Sequence, residues 1–123
     1  MRMQIHFKGT NYELTSEVSA HATKKLRALR KHLGGRKETA FVYVDLGKES
    51  GAHINGRIWY AEVNLECDGS RFYAKATEET LENAVDRAVE ELGNELRRAN
   101  EKQHSLLKRG GLRFKNLFRF GTP

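Results

Sequence analysis

One cysteine in 123 residues, Cys67, leaves the chain without an internal disulfide. It also has no neighbouring metal-ligand residues, so a reducing cytoplasm is the expected compartment. Long apolar runs are missing too. Nothing approaches the roughly 20 residues that cross a bilayer, and residues 1–9 lack the apolar core of a signal peptide, which predicts a soluble, unexported protein with no membrane role. The five histidines, His6, His21, His32, His53 and His104, are scattered. They show no zinc-type spacing, and there is no glycine-rich phosphate loop and no nucleophile with a positioned base. The sequence therefore argues against an enzyme and implies no metal, cofactor or small-molecule substrate.

Charge is abundant, and it is segregated. Residues 1–37 hold nine Lys or Arg against two carboxylates, 38–96 hold five against thirteen, and 97–123 hold eight against one. Two basic ends thus flank an acidic middle, a distribution suited to docking one face on a polyanion, although it does not name the partner. At this length, with 38% hydrophobic residues, the chain has material for a single core covered by one or two helices.

The stretch 15–33, TSEVSAHATKKLRALRKHL, reads as an amphipathic helix. Val18, Ala22, Leu26, Leu29 and Leu33 form one apolar stripe, with Lys24, Arg27 and Lys31 opposite. Thr15 or Ser16 is placed to cap it, and Gly34-Gly35 to stop it. The stripe needs a sheet to cover. Its cationic side suits either solvent or RNA.

Around this helix the periodicity changes to two. Residues 1–8 alternate with Met3, Ile5 and Phe7 on one side, and 40–46 (AFVYVDL) is a second strand. Residues 47–57 read as a loop. Asp68-Gly69 is a strong two-residue hairpin turn. It pairs Cys67 with Ser70, Glu66 with Arg71, Leu65 with Phe72, Val63 with Ala74 and Glu62 with Lys75, so apolar residues meet on one face and acids meet bases on the other. Trp59, Ala61, Val63 and Leu65 then face the core. Tyr60, Asn64 and Tyr73 lie outside, where the tyrosines serve as cross-strand aromatics or as platforms for bases. A second helix follows over about 77–102, with Leu81, Val85, Ala88, Val89, Leu92, Leu96 and Ala99 on its stripe.

The expected fold is α+β in two layers, β-α-β-β-β-α, with both helices on one face of a four-stranded, largely antiparallel sheet whose first two strands are free to be parallel. Residues 1–102 form that domain. Residues 103–123 form a basic aromatic tail that is either disordered when free or an extended strand, with Arg113, Phe114, Lys115, Phe118 and Arg119 able to combine phosphate contact with base stacking. Pairing of that strand with a second copy is equally open.

Over residues 1–102 the chain resembles the short form of the ribosome hibernation-promoting factor and ribosome-associated translation inhibitor family, also called the sigma-54 modulation protein family. The resemblance is carried by N-Y-E-L-T before the basic helix, K-K-L-R-A-L-R-K within it, the D-G hairpin, Phe72-Tyr73-Ala74, and A-V-D-R-A-V-E-E-L-G-N-E-L-R-R. It implies a fold similar to double-stranded RNA-binding domains. It also implies a bacterial cytoplasmic protein, monomeric when free, that binds 16S rRNA in the small ribosomal subunit and blocks the places of messenger and transfer RNA during stress or stationary phase.

Lys25, Lys31, Arg98 and Lys102 match basic positions of that family. With Lys24, Arg27, Arg30 and Arg97 they make up the candidate RNA-binding set. Thr80, Leu81 and Glu82 stand where the family usually has Asp-Met-Tyr, and Ala28, Glu91 and Asn94 stand at usually basic positions. The alternative is a divergent member acting as a general RNA-binding or protein-interaction regulator. On the second reading its surface would be the acids Glu78, Glu79, Glu82, Asp86 and Glu90.

Overall fold

The computed structural model describes residues 2–33, 39–49 and 58–110, with side-chain surroundings as far as Lys102. The expected stop at Gly34-Gly35, most of the 47–57 loop and the tail residues Arg113, Phe114, Lys115, Phe118 and Arg119 lie outside the described residues. The elements run β1 (Met3–Thr10), α1 (Ser16–Arg27), α2 (Arg30–Leu33), β2 (Ala40–Lys48), β3 (Trp59–Cys67), β4 (Ser70–Glu78) and α3 (Leu81–Gly110). The sheet order is β1-β2-β3-β4, with β1 parallel to β2 and the other neighbours antiparallel.

Local chemistry accounts for the register. Asp68 and Gly69 both take positive φ, 52° and 78°, as a two-residue turn matched to strand twist requires. Every expected pair from Cys67–Ser70 to Glu62–Lys75 is present. Alternation then sends Val42, Val44 and Leu46 of β2, Ala61, Val63 and Leu65 of β3, and Ala74 and Ala76 of β4 into the core. Ala22 and Leu26 of α1 and Val85, Ala88, Leu92 and Leu96 of α3 cover them.

Several expectations are corrected, among them the start of the 47–57 loop, since Gly47 and Lys48 belong to β2. The helix over 15–33 is broken: the Ala28 and Leu29 amides bond back to the Lys24 and Leu26 carbonyls, and a short α2 restarts at Arg30. The tightened turn lowers Leu29 onto α3 at Gly93, where an added Cβ would sit 3.2 Å from Leu29 Cδ2. The second helix begins at Leu81 instead of 77, because the β3–β4 ladder extends to Trp59–Glu78 and Thr80 supplies the cap, its Oγ1 accepting from the Asn83 amide at 3.1 Å. At its other end the backbone helix continues past Lys102 to Gly110.

Tyr60 does lie on the outer face, yet only 7% of it is exposed. It stands opposite Gly47, its hydroxyl donates to Asp45 at 3.1 Å, and Lys75 Nζ lies 4.9 Å from its ring centroid. Finally, Lys75 pairs with Glu49 at 3.1 Å and not with its cross-strand neighbour Glu62. Glu62 instead accepts the Tyr73 hydroxyl at 2.7 Å.

That last bond gives a first prediction. Ionising the Tyr73 phenol would discard a hydrogen bond to a carboxylate and set two negative charges together, so its pKa is pushed up to about 12. Spectrophotometric titration should show a late phenolate step attributable to Tyr73, and Glu62→Gln should move it back towards 10. A Tyr73 step unaffected by Glu62→Gln would contradict the bond.

Candidate nucleic-acid interface

The helices that carry the cations are held by a seam of which the sequence singled out only the Thr15 cap. Thr15 caps α1 through its side chain, which accepts from the Val18 amide at 3.3 Å, and Tyr12 Oη lies 3.4 Å from Thr15 Oγ1. Further along, three heptad-spaced residues of α3, Asp86, Gly93 and Asn100, meet α1 and α2 in turn. Asp86 bonds His21 Nε2 at 2.8 Å and lies 3.8 Å from Lys25 Nζ. Gly93 admits Leu29. Asn100 Nδ2 donates to the His32 carbonyl at 2.6 Å and so clips α2 to α3.

This arrangement separates the candidate residues. Lys24, Arg27, Arg30 and Lys31 are exposed on α1 and α2, and Arg97, Arg98 and Lys102 are exposed on α3. Among the described residues no carboxylate forms an ion pair with Lys24, Arg27, Lys31, Arg97, Arg98 or Lys102. Lys25 differs, since Asp86 partly satisfies it.

Helix geometry divides the α3 group further. Arg97, four residues beyond Gly93, faces the α2 side. Lys102 lies a heptad beyond Glu95, whose carboxylate accepts from the Tyr73 amide on the edge of β4, so it points to the other flank. Arg97 is brought towards Lys31; Lys102 is not.

The residues at atypical positions have structural partners. Asn94 Oδ1 accepts from Arg97 and orients it, and Glu91 lies 3.9 Å from Arg87 Nε. Glu78 also binds Arg87, at 3.3 Å. Of the acids proposed as a protein-binding surface, Glu78 and Asp86 are thus engaged internally. Asn100 was missed, and Asp86, Asn94 and His32 were noted without these partners; the heptad interval between Asp86, Gly93 and Asn100 was the available signal.

Burial pushes the His32 pKa down, helped by the nearby Lys31 and Arg97 charges. Cys67 is buried beside the hairpin. Among the described residues no group of His, Cys, Asp and Glu is placed to hold a metal, and no helix is long and apolar enough to cross a membrane.

The fold has recognisable counterparts. The N-terminal domain of Thermus thermophilus Protein Y is similar, with TM-score 0.63 and 23% identity over 80% of this chain and 98% of that one. A ribosomal subunit interface protein from Coxiella burnetii is similar at TM-score 0.63 and 17% identity, over 82% of this chain and 99% of that one. No curated protein matches the chain in sequence. The family model described as Sigma 54 modulation protein / S30EA ribosomal protein matches residues 5–104, and the chain belongs to that family.

Proposed function

We propose that the chain is a ribosome-associated translation inhibitor that lays its helix layer on 16S rRNA in the small-subunit channel and occupies the places of messenger and transfer RNA. The observation that carries this reading is the group of six exposed cations on α1, α2 and α3 with no described carboxylate paired to them. Desolvating an ion-paired lysine gains little, whereas an unpaired one is free to replace counterions on phosphate. Family membership and the likeness to a protein named as a ribosomal subunit interface protein support the ribosome as partner. The contacts position the protein by shape with little base readout, which calls for no catalysis.

In this reading the protein works as a cytoplasmic monomer, and Arg113, Phe114, Lys115, Phe118 and Arg119 add contacts beyond the helix layer. The protein-interaction alternative is weakened at two of its five acids, Glu78 and Asp86, which already have cationic partners.

The test is co-sedimentation of the full chain with purified small subunits across a salt series. Phosphate contacts by this group predict saturable, near-stoichiometric binding that falls by roughly two to three orders of magnitude between 50 and 200 mM salt. Competition by initiator transfer RNA is expected. Binding that does not saturate, or that is indifferent to initiator transfer RNA, would sink the channel assignment.

A further inference from the structure

The side chains of Lys24, Arg27 and Arg98 are exposed, with no hydrogen-bond or ion-pair partner among the described residues. The α2–α3 junction differs because it gathers three basic groups and fixes the backbone that carries them. Asn100 ties down the His32 carbonyl at 2.6 Å, and the His32 amide bonds back to the Leu29 carbonyl at 2.8 Å. Leu29 is in turn wedged at Gly93, and the same bare Cα lies close to the imidazole: a Cβ there would be 4.0 Å from His32 Cδ2. Arg97 is oriented by Asn94, a neutral partner that leaves its charge uncompensated.

The ring is thus half-buried and held on its backbone side. From α2 the Lys31 ammonium bears on it, and from α3 the Arg97 guanidinium. Gly93 and Asn100, which meet this segment from α3, are uncharged, and no carboxylate is among the described groups that act on the ring.

We propose that this junction is a phosphate subsite in which His32, as an imidazolium, joins Lys31 and Arg97 on one RNA phosphate, so that occupancy of the site takes up a proton. The inference deepens the small-subunit reading and rests on it for the identity of the RNA. The physical reason is reciprocal linkage. Two cations and partial burial disfavour a third positive charge in the free protein. A phosphate set among them reverses the local field, and whatever stabilises the imidazolium on binding must tighten binding when His32 is protonated.

Free of anion, the same group has the opposite effect on folding. Its depressed pKa means that the unfolded chain binds the proton more readily, so its contribution to stability is present above the ordinary histidine value and is lost as pH falls through the folded value.

Two measurements test the subsite, one without ribosomes. Imidazole resonances of the full chain are followed by NMR against pH, with and without tripolyphosphate. The His32 pKa should rise by about one unit or more with the polyanion, a tenfold shift in protonation. The Lys31→Gln/Arg97→Gln variant should start higher and respond little. An unchanged His32 pKa, or an equal rise in the double variant, overturns the proposal.

The second measurement compares small-subunit binding at pH 6 and pH 8 for wild type and His32→Gln. Wild type should bind several-fold more tightly at the lower pH, and His32→Gln should lose most of that ratio while keeping its salt dependence at pH 8. A ratio retained in full by His32→Gln overturns the subsite. Absence of subunit binding by both proteins would overturn the channel reading instead, leaving the tripolyphosphate titration to decide the chemistry of the site.

Discussion

Replacing Arg27 and Lys31 together with glutamate is expected to weaken small-subunit binding by at least about a hundredfold while leaving the fold intact. The estimate follows from what each side chain does. A charge-assisted hydrogen bond is worth about 1.5–3 kcal/mol, and two of them correspond to two orders of magnitude or more. Reversal adds repulsion to that loss. Neither residue has a described carboxylate partner and both are exposed, so the effect on stability should stay within about 0.5 kcal/mol.

The signature is a change of slope as well as of affinity. Removing two phosphate contacts should flatten the plot of log affinity against log salt by about two. Lys25→Gln is the contrasting variant. Its ammonium is already shared with Asp86, so its loss should cost binding less and loosen the α1–α3 seam more. Undiminished affinity in Arg27→Glu/Lys31→Glu would remove this face from the interface.

The sheet was legible in the sequence because its signals are local and redundant. Period-two alternation, the Asp68-Gly69 turn and the acid–base match of Glu66 with Arg71 all specify one register, and a slip by one residue would expose Val63 and Leu65. The helix break was hidden for the opposite reason. Leu26, Leu29 and Leu33 keep the apolar stripe whether the helix is continuous or restarted, and the deciding contact, Leu29 on Gly93, joins residues remote in sequence.

The boundary of α3 was ambiguous because Thr77 and Thr80 are both acceptable cap residues. Only the length of the partner strand β3 assigns 77–78 to the sheet. In the candidate site, composition identified the cations but not their partners. Lys24 and Lys25 are equivalent as letters, and it takes the packing of α1 on α3 to give Asp86 to one and solvent to the other. His32 carried no sequence signal, since a lone histidine at the end of a basic helix is equally suited to solvent.

Gly47→Ala should be among the most damaging single-methyl changes in the domain. Gly47 pairs with Thr10 at the end of the parallel β1–β2 ladder, and a Cβ there would lie 2.0 Å from the Thr10 carbonyl oxygen and 2.9 Å from its carbon. Those are backbone atoms, so no rotamer change relieves the overlap; one strand must move. The same bare position lets three side chains converge: Thr10 Oγ1 donates to Asp45 at 2.8 Å and the Tyr60 hydroxyl reaches the other Asp45 oxygen at 3.1 Å. Displacing β1 would open that network as well.

Against this stands the intrinsic advantage of alanine over glycine in a strand, about 0.5–1 kcal/mol. Overpacking costs up to about 3 kcal/mol and more where backbone must shift, so destabilisation wins. With a urea dependence of about 1–3 kcal/mol per molar, the unfolding midpoint should fall by about 1 M or more, and protection of the β1 amides from hydrogen exchange should fall with it. A midpoint equal to wild type would mean that the edge strand yields at no cost, and that the close Thr10–Gly47 approach is not what fixes β1 against β2.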